Sequence, residues 1–242
     1  MNLIQVITFS LTQGLAEFLP ISSSGHLNLA QHLLNIEPSI ALDVFLNTAT
    51  LLSVLFFFRK KISYFFKNLK YIIVASIPIA IIGFFFKDSL DSIFSNVSYL
   101  PYFFLLTSLI IFSTRFIKVK DKKKTYLTAF IIGLFQSLAL LPGVSRSGTT
   151  IFIALLLGLS SIEAFNFSFS LFIPASIGAL ILSGREITSL NVLEPSYLIT
   201  FLLTFLIGIF ALFILQKTLI KGRLWVFSVY TFLLSLIFFI VF

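Results

Sequence analysis

Residues 13–26 read QGLAEFLPISSSGH, and the company they keep decides the fold. Glu17, the three serines Ser22 to Ser24 and His26 stand in a chain of 242 residues that is 58% hydrophobic and 11% charged, with 32 Phe and a mean hydropathy of +1.08. A soluble domain carries about 25% charged residues. This composition therefore describes a polytopic membrane protein. A polar group buried unpaired costs about 2 to 7 kcal/mol, so a cluster of them inside apolar sequence needs a function to justify it. Apolar runs at 39–58, 99–117, 196–216 and 224–242 reach the roughly 20 residues that a helix needs to cross about 30 Å of hydrocarbon. They do not alternate as barrel strands do. The absence of cysteine excludes disulfides, thiolate nucleophiles and thiolate-bound metals.

The formal charge of +8 is topological rather than a nucleic-acid signature. Of 17 Lys and Arg, five lie in 59–70, six in 115–124 and three in 217–223, which places those segments on the cytoplasmic side. Lys87 and Arg185, with Asp88, Asp91, Glu186 and Glu194, mark the opposite side. No cation precedes Arg59, so an external N-terminus is expected and no charged signal-peptide start is visible. One cation remains, Arg146, inside an apolar stretch.

Threading the runs through these sides gives crossings at 39–58, 71–86, 99–117, 163–183, 196–216 and 224–242. Two stretches are left over, 2–34 and 126–160. The second begins beside Lys122 to Lys124 and must end on the same side, so each is read as a re-entrant helix, loop and helix. The stretches are related: a shift of 123 aligns Gln13, Leu15, Ala16, Ser22, Ser24 and Gly25 with Gln136, Leu138, Ala139, Ser145, Ser147 and Gly148. The expected fold class is an all-α polytopic membrane protein with six transmembrane helices plus two re-entrant hairpins. It forms one integral membrane domain, 1–242, with halves 1–120 and 125–242 arranged as an inverted-topology repeat. Irregular backbone at membrane depth is tolerated only inside protein or around a water-filled cavity, so the two loops are expected to line one cavity.

The loops carry the chemistry. Ser22, Ser23, Ser24 and Gly25 precede one helix, and Ser145, Arg146, Ser147 and Gly148 precede another. A helix start offers free N–H groups and a partial positive charge, which suits phosphate, and the planar fork of Arg146 matches phosphate oxygens. Against this stands a plainer reading, in which the serines only cap helices and Arg146 snorkels or pairs with Glu17. Gln13 and Glu17 share a helix face. Glu17, alone in the membrane, is a candidate metal ligand, general base or partner of Arg146. His26 lies three residues after Ser23, a spacing that suits a nucleophile and base pair. Asp43 and Asn47 share a face and could line the cavity.

The runs EFLPISSSGH (17–26) and LPGVSRSGTT (141–150), with FSFSLFIP (167–174), resemble the signature motifs of the undecaprenyl-diphosphate phosphatases of the bacitracin-resistance type. The resemblance implies an enzyme of the bacterial cytoplasmic membrane, its site open to the outer face, that takes the terminal phosphate from undecaprenyl diphosphate and so recycles the cell-wall carrier. It implies a divalent cation, Mg²⁺ or Ca²⁺. Matched by position, functional residues fall on Glu17, Ser23 and His26, and on Ser145, Arg146 and Thr150. Ser22, Ser24, Ser147 and Gly148 match neighbouring motif positions. Many relatives carry glutamate where this chain has Gln13. Two chemistries stay open: attack by Ser23 with His26 as base, or attack by His26 with Glu17 activating water. Direct attack by water is a third. The rival from another class is a lipid-phosphate transporter or flippase using the same anion site without hydrolysis. The expected partners are a polyprenyl diphosphate and the bilayer, without nucleic acid, and a second copy could pair through apolar faces.

Overall fold

The computed structural model describes residues 1–241 apart from Pro38 and Ser95, and excludes the side chains of Lys87, Asp88, Asp91, Phe94 and Val241. The expectation that Lys87, Asp88 and Asp91 face outward falls on those excluded side chains. The described residues are mostly helical, without strands. In order come α1 (Leu3–Ala16), α2 (Ser23–Leu33), α3 (Ile40–Phe57), α4 (Ile62–Phe85), α5 (Lys87–Phe94) and α6 (Leu100–Ser113). Then follow α7 (Tyr126–Gln136), α8 (Arg146–Leu156), α9 (Ser161–Ser183), α10 (Pro195–Ile220) and α11 (Val226–Val241).

Among the described residues, five segments are long and apolar enough to cross a membrane: Ile40–Phe57, Arg59–Phe85, Val97–Phe116, Ser161–Ser189 and Pro195–Ile220. They make this a multi-pass membrane protein. The sixth expected crossing, 224–242, falls on the 16-residue α11, and Phe242 lies outside the described residues. One boundary differs from expectation. The basic stretch 59–70 is not a loop: a short 3₁₀ turn over Arg59–Lys61 leads into α4 at Ile62. Lysine is a good helix former, so Lys67 and Lys70 ride on helical turns. The stretch 87–94, read as loop, forms the short α5.

The two left-over stretches each form a pair of helices shorter than the five candidate spans. α1 and α2 have 14 and 11 residues, α7 and α8 11 each, so each helix is at most about 21 Å long at roughly 1.5 Å per residue. Their N-termini are sealed locally: Asn2 with Gln5 and Thr125 with Thr128 form capping boxes. α1 packs on α10 and α7 packs on α4, while α6 pairs with α11. Without a hydrophobic force between helices in lipid, such seams depend on close approach. At Gly133 of α7 a Cβ would lie 2.0 Å from the carbonyl oxygen of Ala75, so only glycine fits. On the other seam Ser10 of α1 donates to the carbonyl of Thr200 at 3.3 Å.

α8 and the first half of α9 occupy the centre, with Ile151, Ile153, Ala154, Phe165, Phe167, Phe169 and Phe172 buried. Rings of Phe18, Phe169 and Phe172 meet edge-on at 5.7 and 6.0 Å. This aromatic floor lies under the two loops.

Candidate functional site

The loops 17–22 and 141–145 meet at their tips. A Cβ on Gly25 would lie 3.0 Å from the Cα of Gly143, and one on Gly148 would lie 3.2 Å from Cβ of Pro20. Gly143 turns its loop at φ +95°, a conformation that costs other residues strain. Behind this contact lies a cavity of about 210 Å³, whose polar lining is Glu17, Ser22, Ser23, Ser24, Asn47, Ser145, Arg146 and Ser176. Residues of both loops therefore line one cavity.

Glu17 is the hub. Arg146 Nη2 donates to its Oε1 at 2.9 Å, with the two side chains only 12% and 10% exposed. Ser23 Oγ donates to Glu17 Oε2, and Gln13 Nε2 reaches the same oxygen at 3.2 Å. The Arg146 guanidinium lies 4.1 Å from the ring centre of Phe172, which fixes its plane by cation–π attraction. Its second terminal nitrogen, Nη1, is buried and has no acceptor among the described residues. A buried arginine N–H without a partner forfeits its hydration, and Nη1 belongs to a side chain that lines the cavity.

The two helix starts differ. Ser145 caps α8, its Oγ accepting from Gly148 N at 3.2 Å. Ser22 precedes α2 with φ 71° and makes no side-chain cap, so the first N–H groups of α2 keep their capacity for an anion. Ser22 and Ser24 lie 3.3 Å apart at their hydroxyls, as do Ser145 and Ser147.

His26 departs from expectation. Ser23 does not meet it; the hydroxyl goes to Glu17 instead. The His26 ring is occupied elsewhere: Nδ1 lies 2.7 Å from the Ser22 carbonyl and Nε2 2.7 Å from the Tyr230 hydroxyl. The physical reason is the left-handed turn at Ser22, which aims Ser23 toward α1 and turns the imidazole toward α11. Of the other expected contacts, Gln13 lines a smaller adjoining cavity of about 170 Å³. Gly25 and Gly148 serve the contact between loops, Ser147 bonds to Ser145, and Thr150 bonds to Ser168 at 2.6 Å. None of these four lines the cavity. Asp43 and Asn47, weak signals in the sequence, do line the smaller space. Tyr230 and Thr107 were missed: one polar residue in an apolar helix gives no sign of its partner.

The family model of the bacitracin resistance protein BacA matches residues 6–237. The chain belongs to the BacA family. Curated relatives include the undecaprenyl-diphosphatase of Thermosipho africanus, 43% identical over 97% of this chain and 98% of that protein. That of Methanococcus vannielii is 40% identical over 95% and 96%, and that of Thermotoga petrophila 35% identical over 97% and 99%.

Proposed function

We propose that this protein hydrolyses undecaprenyl diphosphate to undecaprenyl phosphate and inorganic phosphate. The observation that carries the reading is Arg146, whose side chain lines a cavity that also holds Ser23 already bonded to a carboxylate and whose buried Nη1 has no acceptor among the described residues. An incoming phosphate oxygen supplies the missing acceptor. The names of its relatives, undecaprenyl-diphosphatase at 35 to 43% identity, agree. A carrier would need the anion site but has no use for the Ser23–Glu17 contact.

In the mechanism, Ser23 Oγ attacks the terminal phosphorus and its proton passes to Glu17. The bond from that phosphorus to the bridging oxygen breaks, and the polyprenyl phosphate leaves. Water then attacks the phosphoserine and releases inorganic phosphate, with Glu17 accepting the water's proton as the serine oxygen recovers its own. Arg146 Nη1 and the open start of α2 hold the equatorial oxygens throughout. Fixed donors of this kind stabilise developing charge without reorganising.

The residues also fit a divalent cation. Glu17 and Asp43 offer carboxylates, Asn47 an amide, and Gln13 Oε1 is buried without a partner; hard oxygen donors of this type suit Mg²⁺ or Ca²⁺. Asp43 then supplies the second acid that Gln13 lacks. Such a cation would neutralise charge on the diphosphate.

The lipid tail has a place beside the phosphate. An apolar groove of about 530 Å³ runs between α4 and α9 and shares Ile79, Leu140 and Ala175 with the polar cavity. The cavity lies against α9 from its midpoint at Phe172 to Ala175 and Ser176, whereas the N-terminal end of α9 carries Glu163 paired with the basic-side Lys124. This arrangement supports a site open to the outer face.

The proposed topology is six crossings and two re-entrant hairpins in an inverted repeat. What supports it is reciprocity at the 123-residue shift. Gly25 packs on Gly143 as Gly148 packs on Pro20, and both serine pairs have one separation. Ser10 and Gly133 are likewise 123 apart, each at the seam of its own helix with α10 or α4.

The deciding experiment is phosphate release by purified protein from a polyprenyl diphosphate, with and without EDTA. Release that stops with EDTA and returns with Mg²⁺ or Ca²⁺ is expected; no release with any cation ends the reading. An acid-stable phosphoenzyme absent from Ser23→Ala checks the nucleophile.

A further inference from the structure

The hydrogen bonds of His26 define what it can do. A carbonyl oxygen only accepts, so Nδ1, 2.7 Å from the Ser22 carbonyl, carries the hydrogen. In the neutral ring Nε2 then accepts from the Tyr230 hydroxyl at 2.7 Å. The two rings lie nearly parallel, 13° apart with centres at 5.6 Å, and Phe104 closes the far side edge-on at 5.3 Å. Both ring nitrogens and both kinds of ring contact are therefore used inside the protein.

What His26 holds is the strained point of the loop. Ser22 sits at φ 71°, a region that costs a non-glycine residue about 1 to 3 kcal/mol. Its carbonyl receives both the His26 backbone N–H at 3.3 Å and Nδ1. The next residue is Ser23, whose hydroxyl reaches Glu17 only while Ser22 keeps this turn. The second loop has its own support: Thr107 Oγ1 donates to the carbonyl of Gly143 at 2.7 Å and accepts from Ser145 N at 3.0 Å. Thr107 lies on α6, Tyr230 on its partner α11, and the two numbers differ by 123, the shift that relates the loops.

We infer that Tyr230 and Thr107 are equivalent braces, one for each loop, and that His26 is a positioning residue through which Tyr230 fixes Ser22 and so aims Ser23. The inference rests on the phosphatase reading for its kinetic arm only. Asparagine can place its amide N–H near Nδ1, so His26→Asn keeps the donor to Ser22 and loses the ring chemistry. His26→Asn is expected to retain at least tenfold more activity than His26→Ala. Tyr230→Phe keeps the stacking and loses the hydroxyl; its kcat should fall about 3- to 10-fold, the worth of one neutral hydrogen bond, with KM unchanged. In the His26→Ala background the same change should cost nothing further.

A second measurement does not depend on turnover. Nitrogen NMR of histidine-labelled protein, with His32→Gln to assign the two histidines, should show His26 as the neutral Nδ1–H form in the parent; in Tyr230→Phe the ring should stay Nδ1–H, held by the Ser22 carbonyl, while the Nε2 resonance moves downfield as it loses its donor. Equal inactivity of His26→Asn and His26→Ala would overturn the inference, as would full activity of Tyr230→Phe or an Nε2–H ring in the parent. Absence of phosphate release from the parent protein would instead remove the phosphatase reading, leaving the brace to be judged by the NMR.

Discussion

Arg146 spends Nη2 on Glu17, and its buried Nη1 has no acceptor among the described residues. Arg146→Lys keeps the charge but loses the fork, and a flexible ammonium cannot serve Glu17 and a phosphate from one plane. Its kcat should fall about 100- to 1,000-fold, the scale of losing one fixed transition-state donor, while the protein stays folded; steady-state phosphate release and a melting curve check both. Glu17→Gln behaves differently, because it strands a guanidinium only 12% exposed. It should lower stability by about 3 to 5 kcal/mol as well as abolish turnover.

At the scale of elements, the seam between α4 and α9 is open where the seam between α3 and α10 is closed. On α10 a Cβ at Gly208 would lie 2.6 Å from Ser53 Oγ, whereas on α9 a Cβ at Gly178 would meet nothing within 4 Å. Gly178 lines the groove assigned to the lipid tail. Gly178→Phe should therefore fill it without unfolding α9. Displacing three or four methylenes, each worth about 0.8 kcal/mol, should cost a long-chain substrate tenfold or more in kcat/KM; a short-chain diphosphate assayed alongside should be hydrolysed as before. The other end of α9 has a structural task. Lys124, 4% exposed, pairs with Glu163, which is 29% exposed, and Tyr64 donates to the same carboxylate at 2.7 Å. Burial pushes the Lys124 ammonium below the usual lysine range, and Glu163 pulls it back. Glu163→Gln leaves the more buried charge alone and should lower the melting temperature in detergent further than Lys124→Met does.

For the whole molecule, the proposed sidedness follows from charge alone. Because the chain has no cysteine, single cysteines report it directly. Those at Lys60, Lys122 and Lys221 should react with an impermeant maleimide only from the cytoplasmic side, and one at Glu186 only from outside. Reaction of Lys122→Cys and Glu186→Cys from one side would break the inverted arrangement. The halves are related but not interchangeable. One loop carries Ser23 where the other carries Arg146, so that at the 123-residue shift the hydroxyl proposed to attack stands opposite the guanidinium proposed to bind.

Composition determined that the chain lives in a bilayer, since 58% hydrophobic residues leave too little polar surface to face water. The positive-inside pattern supplies the proposed orientation of its loops, and the short spans around QGLAEFLPISSSGH and LPGVSRSGTT supply the proposed hairpins, because length and charge are local properties. The meeting of Glu17 and Arg146 could be anticipated because both stand as charges in apolar sequence, whereas the turn of Ser23 to Glu17 instead of His26 could not. Nor could the turn of His26. Its direction depends on a single left-handed residue, Ser22, and on a tyrosine 204 positions away. The same holds for Asp43 in the smaller cavity and for Gly178 beside the groove. Which faces of two helices meet is decided by packing among all of them, and no local pattern of the chain records it.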